Sequence, residues 1–413
     1  MVHFYASSLL HTAPPAGYPP LLLTSEPGSF ARYTLAVRVP DILQDIIDSN
    51  DFPVDIIDAL NTLRDEITSG SVRNLQEDAA DRSFWDLANV PHVGKSWLDV
   101  PWYWAEAYLY RRVLEATGYF QPGPRQGADP YAVKKATEWQ PDVAPQSVEA
   151  LLDQLQGDVE TRLRWLLKGS LWGNQADLCY AAVAELARQR RGARLDEQDA
   201  YLLVDDSSAI AGFLLEAATG KAPPSIAIVA DNAGTELAMD LTLADYLLST
   251  QLAGQVTFFL KPQPYFISDA TIRDVFAGLQ ALSRGGPHTT LAAQRLWTHL
   301  DAGRLLLKTH WHFASSLFYF QLPEDLSSDL ACHACVIFKG DANYRRLLGD
   351  AHWPATTPLA LATSYFPAPL IMLRTLKSEL VVGLETGQAA RLAGEDPNWL
   401  VNGRYGVIQA DLR

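Results

Sequence analysis

The sequence predicts an α/β protein in which a mostly parallel, doubly wound sheet follows a long helical region. Two observations lead to this fold class. From about residue 200 onward, short continuous apolar runs alternate with helical segments, which is typical of parallel strands that are buried on both faces and joined by helices. Between about residues 33 and 165 the apolar periodicity is mostly helical. With 413 residues, the chain is long enough for two domains.

The first part of the chain predicts an extended arm and then helices. Residues 1 to about 30 are rich in proline, serine and glycine. The stretches VPDILQDIIDSN and WYWAEAYLYRRVLEATGYF have amphipathic helical patterns, and QPGPRQGADP and QPDVAPQS predict loops. We therefore assign residues 1–165 to an N-terminal arm and helical domain, and residues 166–413 to the domain that contains the sheet.

Five apolar runs in the second domain predict strands, and a helical segment is predicted after each of them. The last of these helical segments is LKSELVVGL. The predicted strands are YLLV (201–204), SIAIVA (225–230), QVTFFL (255–260), ACVIF (334–338) and PLIML (369–373).

Composition argues against several classes of function. A formal net charge of −15 disfavours non-specific binding to nucleic acid or to an anionic membrane, because both require a basic face. Three cysteines make no disulfide framework, and the first residues lack the charge pattern of a signal peptide. The longest apolar stretch, PLALATSYFPAPLIML, is broken by prolines and is too short to span a bilayer. We expect a cytoplasmic protein without a membrane or nucleic-acid partner.

Polar clusters follow four of the predicted strands, where open α/β sheets bind their ligands. The residues concerned are Asp231, Asn232 and Gly234 after the second strand, Lys261 and Asp269 after the third, Lys339, Gly340, Asp341, Asn343 and Arg345 after the fourth, and Arg374, Thr375 and Lys377 after the fifth. Asp231, Asn232 and Asp269 offer only oxygen ligands, which suit hard divalent cations. The lysines and arginines suit a phosphate or a carboxylate. Together the clusters predict metal-assisted chemistry on a phosphorylated small molecule.

Structural alternatives exist for each motif. Asp231, Asn232, Asp269 and Asp341 are all at positions where a side chain often caps a helix, and Arg345 and Arg346 are compatible with a solvated helix face. For Asp205 and Asp206 we favour capping. For the CHAC stretch, a zinc site is disfavoured because no second ligand pair is present, and a redox role is disfavoured because Cys335 is expected to begin a strand and not a helix. The histidines of HWH are interpreted as packing residues.

Several motifs, in order along the chain, resemble the DUF89 or damage-control phosphatase family, and most closely its acidic-residue methyltransferase-1-like subfamily. The resemblance extends from about residue 20 to the C-terminus. The matching stretches are VRVPDIL (37–43), YLYRR (108–112), SLWGNQADL (170–178), DNAGTEL (231–237), LADYLLS (243–249), KPQPYFISD (261–269), FKGDANYRRLLGD (338–350), RTLKSE (374–379) and NGRYGVIQ (402–409).

The resemblance implies a helical N-terminal domain packed on a three-layer α/β/α sandwich, with residues 166–413 forming the metal-binding catalytic domain. It implies a divalent metal (Mn²⁺, Co²⁺, Ni²⁺ or Mg²⁺) as cofactor, and metal ligands at Asp231, Asn232 and Asp269. We assign the catalytic role to Asp231, Asp269 and Asp341. The substrate contacts that the resemblance implies are Arg38, Glu236, Asp341, Asn343, Tyr344, Arg345, Arg374 and Lys377. Asn174 and Asp177 are expected to shape the pocket, and Thr235 stands where the family often has an aromatic residue.

The expected activity is metal-dependent hydrolysis of small phosphometabolites, with sugar phosphates such as fructose 1-phosphate as the substrates that the resemblance implies. Two alternatives are kept. One is S-adenosylmethionine-dependent carboxyl methylation of protein glutamates, and the other is binding of a phosphometabolite without turnover. Whether a water or a carboxylate attacks the phosphorus, and the oligomeric state, do not follow from the sequence.

Overall fold

A seven-stranded sheet forms the centre of the protein. The computed structural model describes residues 12–173 and 201–413. The strands are β1 Leu202–Asp205, β2 Ser225–Val229, β3 Gln255–Leu260, β4 Leu305–Thr309, β5 Cys335–Lys339, β6 Leu370–Thr375 and β7 Gly406–Asp411. Their order in the sheet is β1-β7-β6-β5-β2-β3-β4. Only the β6–β7 pairing is antiparallel among these strands, so the predicted mostly parallel α/β fold is confirmed.

Helices precede the sheet and then alternate with its strands. Before β1 they are α1 Phe30–Tyr33, α2 Val39–Asp48, α3 Val54–Ser69, α4 Arg82–Ala88, α5 Trp102–Ala116, α6 Ala132–Glu138, α7 Ala144–Gln154 and α8 Val159–Trp172, and a π-helical turn, Thr34–Arg38, joins α1 to α2. After β1 they are α9 Ser207–Ala217, α10 Thr235–Ser249, α11 Ile272–Leu282, α12 Pro287–Asp301, α13 Glu324–Ala331, α14 Gly340–Leu347, α15 Leu359–Ala362 and α16 Gln388–Glu395.

The sheet separates two apolar layers. Alternate strand residues enter opposite layers because successive side chains of a strand point to opposite faces. Val229 and Phe338 belong to the layer that includes α2, α3 and α5. Ile228 and Ile337, their neighbours in sequence, belong to the layer that includes α7, α8 and α10. Helices therefore cover both faces of the sheet, as the sequence predicted.

The predicted strands all exist, but two further strands were not predicted. β4 at one edge is largely half-exposed, and β7 contains polar residues, so neither has a continuous buried apolar run. The division of the chain at residue 165 stays a prediction. α8, which spans that position, packs along α10.

The prediction of a helix over LKSELVVGL is wrong. Residues 376–387 have no helix, and α16 begins only at Gln388. The backbone groups of this segment have partners elsewhere: Arg374 donates to the carbonyl oxygens of Ser378 and Leu380, and the Val382 N–H donates to the Tyr344 hydroxyl. These tertiary hydrogen bonds replace the ones that a helix would supply.

Within residues 12–173 and 201–413, no helix combines the length and apolarity needed to cross a membrane. Cys332 is an exposed free thiol, and Cys335 is a buried one. Cys179 lies outside the described residues.

Candidate active site

The three predicted metal ligands meet at the carboxyl ends of β2 and β3. Asn232 and Asp269 form an antiparallel bridge. The Ala270 N–H donates to the Asp231 carbonyl oxygen at 2.7 Å, and the Ala233 N–H donates to the Ser268 carbonyl oxygen at 2.7 Å. These backbone bonds extend the sheet edge by a few residues, and they place Asp269 beside Asp231 and Asn232.

Asn232 is held at the centre of this group. Its amide nitrogen donates to Asp231 Oδ2 and to Glu236 Oε2, each at 2.8 Å. Its amide oxygen accepts a hydrogen bond from the Ser268 hydroxyl. The Asn232 side chain therefore has one orientation, in which the oxygen points away from Glu236.

Asp269 faces Lys261 and keeps acceptor capacity. Its Oδ2 atom lies 3.1 Å from Lys261 Nζ. That oxygen is buried and accepts no well-aligned hydrogen bond from the described residues. A buried carboxylate oxygen without a full set of donors is the kind of group that a metal ion satisfies.

Negative charge is concentrated at this position. The pKa of Asp231 is raised well above its ordinary value, first by burial and then by the nearby carboxylates of Glu236 and Asp269, while Lys261 and Lys377 act in the opposite direction. Burial also raises the pKa of Asp269, against the effect of Lys261. A bound cation would favour the ionised form of both carboxylates, against the burial that is the main cause of the two raised pKa values.

The donor set fits a hard divalent cation in its chemistry. It consists of two carboxylates and one amide oxygen, all on short segments fixed by backbone bonds. No group of three or more His, Cys, Asp or Glu side chains able to hold a metal ion exists among residues 12–173 and 201–413. The set is consistent with that finding because its third member, Asn232, is an asparagine.

Gly340 makes room for Asp231. It is the first residue of α14 and has φ +78°, a left-handed conformation that favours glycine. A Cβ atom at this position would lie 1.8 Å from Asp231 Oδ2. The start of α14 and the Asp231 carboxylate are therefore in direct contact, and a larger residue than glycine does not fit there.

A buried network lies behind Glu236. Lys339 Nζ is 3.5 Å from Glu236 Oε1 and 3.2 Å from Asp240 Oδ1, and it donates to the Ser170 carbonyl oxygen. Burial raises the pKa of Asp240 to about 7, although Lys339 opposes the rise. In the described structure Glu236 thus contacts Asn232 and Lys339, so its predicted contact with substrate stays a prediction.

Asp341 organises the segment after β6. Its Oδ1 atom accepts from Arg374 Nε at 2.8 Å, from the Ser378 hydroxyl at 3.0 Å and from the Lys377 N–H at 3.1 Å. Arg374 also donates to the Leu380 carbonyl oxygen at 2.7 Å. The guanidinium of Arg374 is therefore engaged by the protein, and it fixes the backbone that carries Lys377.

Lys377 is the half-buried cation of this segment. Its ammonium has no ion pair or hydrogen bond with the described part of the chain, and its charge lowers the pKa of Asp231. Lys377 therefore has a free charged group within electrostatic reach of the predicted metal ligands.

Three of the predicted substrate residues on α14, Asn343, Tyr344 and Arg345, are buried. Asn343 donates to the Lys339 carbonyl oxygen at 2.8 Å, and the Tyr344 hydroxyl donates to Gln409. Arg345 donates to both oxygens of Asp350, at 2.7 and 3.0 Å, and to Glu106 of α5, and it stacks on the ring of Trp102. These side chains connect α14 to the neighbouring elements, and substrate contact by them stays a prediction.

Arg38 comes from the N-terminal helices. It ends the π-helical turn, is exposed, and lies over the ring of Phe30 at 5.2 Å. Its charge opposes the rise in the pKa of Glu106 that burial causes, so Arg38 is within electrostatic reach of the Glu106–Arg345 pair. Asn174 and Asp177, which were expected to shape the pocket, lie outside the described residues.

The helix-capping alternatives do not account for the ligand residues. Gly234, rather than Asp231 or Asn232, is the N-cap of α10, and Thr271 caps α11 in a capping box with Asp274. For α9, Asp206 is at the N-cap position, but its side chain makes no capping hydrogen bond and accepts instead from the Ala410 N–H. Asp205, one residue earlier, accepts a hydrogen bond from the Ser207 N–H at the start of this helix.

Three polar contacts near the site were not predicted. Ser268 is adjacent to Asp269 in sequence, and Asp240 follows Glu236 by one helical turn, so both had a positional signal. Glu138 had none. It accepts from the Thr235 hydroxyl at 2.9 Å, across a loop from the helical region.

The histidines of HWH were interpreted as packing residues. Of these, His312 is buried against Phe313 and Tyr319.

Comparisons with known proteins identify the family to which the chain is similar. The family model for the damage-control phosphatase ARMT1-like domain matches residues 34–392. Proteins named damage-control phosphatase ARMT1 from Rattus norvegicus, Danio rerio and Homo sapiens are 31%, 32% and 30% identical to the chain, and each alignment covers 95% of the chain and 97–98% of the relative. A crystal structure of a DUF89 family protein from Pyrococcus horikoshii superimposes with a TM-score of 0.50 and 13% identity, over 91% of this chain and 97% of that one. The comparison with this solved structure shows that the two proteins share a fold.

Proposed function

Because the chain belongs to the damage-control phosphatase ARMT1-like family, we propose that it is a divalent-metal-dependent phosphatase acting on small phosphometabolites. Membership of the family supports a phosphatase role in metabolite damage control. The finer proposal adds the metal, which is Mn²⁺, Co²⁺, Ni²⁺ or Mg²⁺, and sugar phosphates such as fructose 1-phosphate as substrates.

The observation that carries the proposal is the buried group of Asp231, Asn232 and Asp269, with lysines on its margin. In this proposal the three side chains hold the metal. A bound divalent metal would polarise a phosphoryl oxygen and lower the pKa of a water. The raised pKa of Asp231 and the incompletely satisfied Asp269 oxygen support a cation at this position.

Lys377 supplies the free positive charge for a phosphoryl group. Its ammonium is unpaired within the described residues, whereas Arg345 and Arg374 donate to protein acceptors. Asp341 accepts a hydrogen bond from the Lys377 backbone N–H, which fixes the main chain that carries this side chain. In this proposal the ammonium stabilises the negative charge that builds on phosphoryl oxygens in the transition state.

The first test is hydrolysis of a panel of sugar phosphates, with each of the four metals and with EDTA. Asp231→Ala should abolish both metal binding and turnover while the circular dichroism spectrum is kept. Asp86→Ala is the matched control, because it removes a carboxylate from an exposed pair with Arg82. No turnover across the panel, or turnover that EDTA does not change, would refute the proposal.

The same protein preparations separate the two alternatives. Calorimetric binding of S-adenosylmethionine without phosphatase activity would favour the methyltransferase. Binding of a sugar phosphate without turnover in the presence of every metal would favour a non-enzymatic role.

A further inference from the structure

The loop that carries Asp269 contains a strained turn. Phe266 has φ +42° and Ile267 has φ +67°, and both are non-glycine residues in the left-handed region. This conformation is unfavourable for L-residues, and especially so for a β-branched one such as isoleucine. The turn is closed by a hydrogen bond from the Ser268 N–H to the Phe266 carbonyl oxygen at 2.7 Å. Strain of this kind persists only where surrounding contacts hold the backbone.

Aromatic residues of α5 hold one side of the turn. The Phe266 ring lies 4.7 Å from the ring of Tyr110 and 6.0 Å from the ring of Tyr103, measured between centroids. It also contacts its neighbour Tyr265 at 4.8 Å. These three tyrosines are buried, and the half-buried Phe266 side chain packs against them in an aromatic cluster shared with the N-terminal helices.

Lys135 of α6 holds the backbone that follows the turn, at Asp269. Its ammonium donates to the Asp269 carbonyl oxygen at 2.8 Å and to Asp274 Oδ2 at 3.1 Å, and it lies 3.0 Å from Asp129 Oδ2. The three N–H donors of a lysine are thereby matched by three acceptors. Asp274 in turn accepts from the N–H and the hydroxyl of Thr271. The buried lysine thus connects the backbone of Asp269 to the start of α11.

We propose that Lys135 is a positioning residue, through which the N-terminal helices hold the strained 266–267 turn and set where the Asp269 carboxylate lies. The inference rests on the proposed function, because it takes Asp269 to be a metal ligand. Partners that orient a metal ligand from outside the coordination shell typically change metal affinity 10- to 100-fold when they are removed. Lys135 acts through the Asp269 backbone and is not assigned any contact with substrate.

The test compares four variants in metal-free and Mn²⁺-loaded protein. Lys135→Met alone leaves Asp129 and Asp274 without a counter-charge. Asp274 keeps two hydrogen bonds from Thr271, so the decisive variant combines Lys135→Met with Asp129→Asn, which removes the other charge. Asp129→Asn alone controls for the second substitution. Lys134→Met is the matched control, because it changes the adjacent lysine, whose partner is Asp45.

Two quantities are measured. Amide hydrogen exchange of residues 265–270 in metal-free protein reports on the turn itself, and calorimetry with Mn²⁺ reports on the site. In the double variant we expect exchange in this segment to be faster by about tenfold or more, and the Kd for Mn²⁺ to rise about 10- to 100-fold. Both single controls should behave like the wild type.

Wild-type exchange and wild-type Mn²⁺ affinity in the double variant would overturn the inference. Faster exchange with unchanged affinity would also overturn it, because the turn would then not set the position of Asp269. If the wild-type protein itself does not bind Mn²⁺, the proposed function fails, and the exchange measurement alone decides whether Lys135 holds the turn.

Discussion

Replacing Gly340 by alanine should displace the Asp231 carboxylate, and a matched glycine variant should distinguish the effect of this displacement on the site from the loss of stability. The added Cβ would lie 1.8 Å from Asp231 Oδ2 and 2.3 Å from its Cγ, in a residue with φ +78°. Real carbon–oxygen contacts need about 3 Å or more, so the carboxylate must move by about 1 Å. A displacement of that size at a reacting centre costs about 10²-fold in rate.

The expected loss of stability has two parts. The left-handed backbone costs about 1–2 kcal/mol for a residue with a Cβ, and the overlap with Asp231 adds about 1–3 kcal/mol of overpacking. The free energy of unfolding should therefore fall by about 2–5 kcal/mol. Gly387→Ala is the control, because Gly387 has φ +84° with nothing within 4 Å of the added Cβ, so it should show the backbone cost alone.

The assays are urea unfolding, Mn²⁺ calorimetry and kcat/KM for a sugar phosphate. We expect Gly340→Ala to lose about 100-fold in kcat/KM and to bind Mn²⁺ more weakly, while Gly387→Ala keeps the wild-type values of both. Equal kcat/KM and equal Mn²⁺ affinity in the two variants would refute the reasoning, because the contact with Asp231 would then have no effect on the site.

Three further predictions concern the surrounding charges. Lys377→Ala should raise KM for a sugar phosphate about 10- to 100-fold, the worth of a charge-assisted hydrogen bond, with little change in unfolding free energy; an unchanged KM would remove Lys377 from the phosphate site. Arg345→Met should lower the unfolding free energy by about 3–5 kcal/mol, because Glu106 and Asp350 would stay buried without a counter-charge; a loss below about 1 kcal/mol would contradict the structural role. Burial raises the pKa of Asp240 from its ordinary 3.8 to about 7, so ionisation costs stability as pH rises through this interval. Relative to Asp240→Asn, the wild-type protein should therefore become less stable between about pH 4 and 7, and a difference in unfolding free energy that does not vary with pH would count against it.

The parallel strands of the centre were predictable because each is a continuous apolar run. β2, β3 and β5 are almost completely buried, and burial on both faces leaves a clear pattern in the sequence. β7 was not predictable in the same way. Its place between β6 and β1 depends on pairing with strands far away in the chain, and its direction is set by the connection after β6.

The positions of the ligand residues were predictable, but their partners were not. Strand ends indicated where Asp231 and Asp269 meet, since carboxyl ends of parallel strands share one edge. Arg345 looked like a free cation in the sequence, because one of its two carboxylate partners, Glu106, is contributed by a distant helix, while the other, Asp350, follows α14 by three residues. The same limit applies to Glu138, which reaches Thr235 from the helical region. Charges supplied by another part of the chain leave no local signal.

The place of β7 also has a consequence for synthesis. β1 is an edge strand whose one neighbour among the described strands is β7, and all the other strands of the sheet lie between these two in the chain. While the protein is being made, β2, β3, β4, β5 and β6 can assemble by parallel pairing, but β1 has no hydrogen-bonding partner until residues 406–411 are available. During translation the nascent sheet therefore exposes the free edges of β1 and β6, and unpaired edges of this kind invite pairing with other chains.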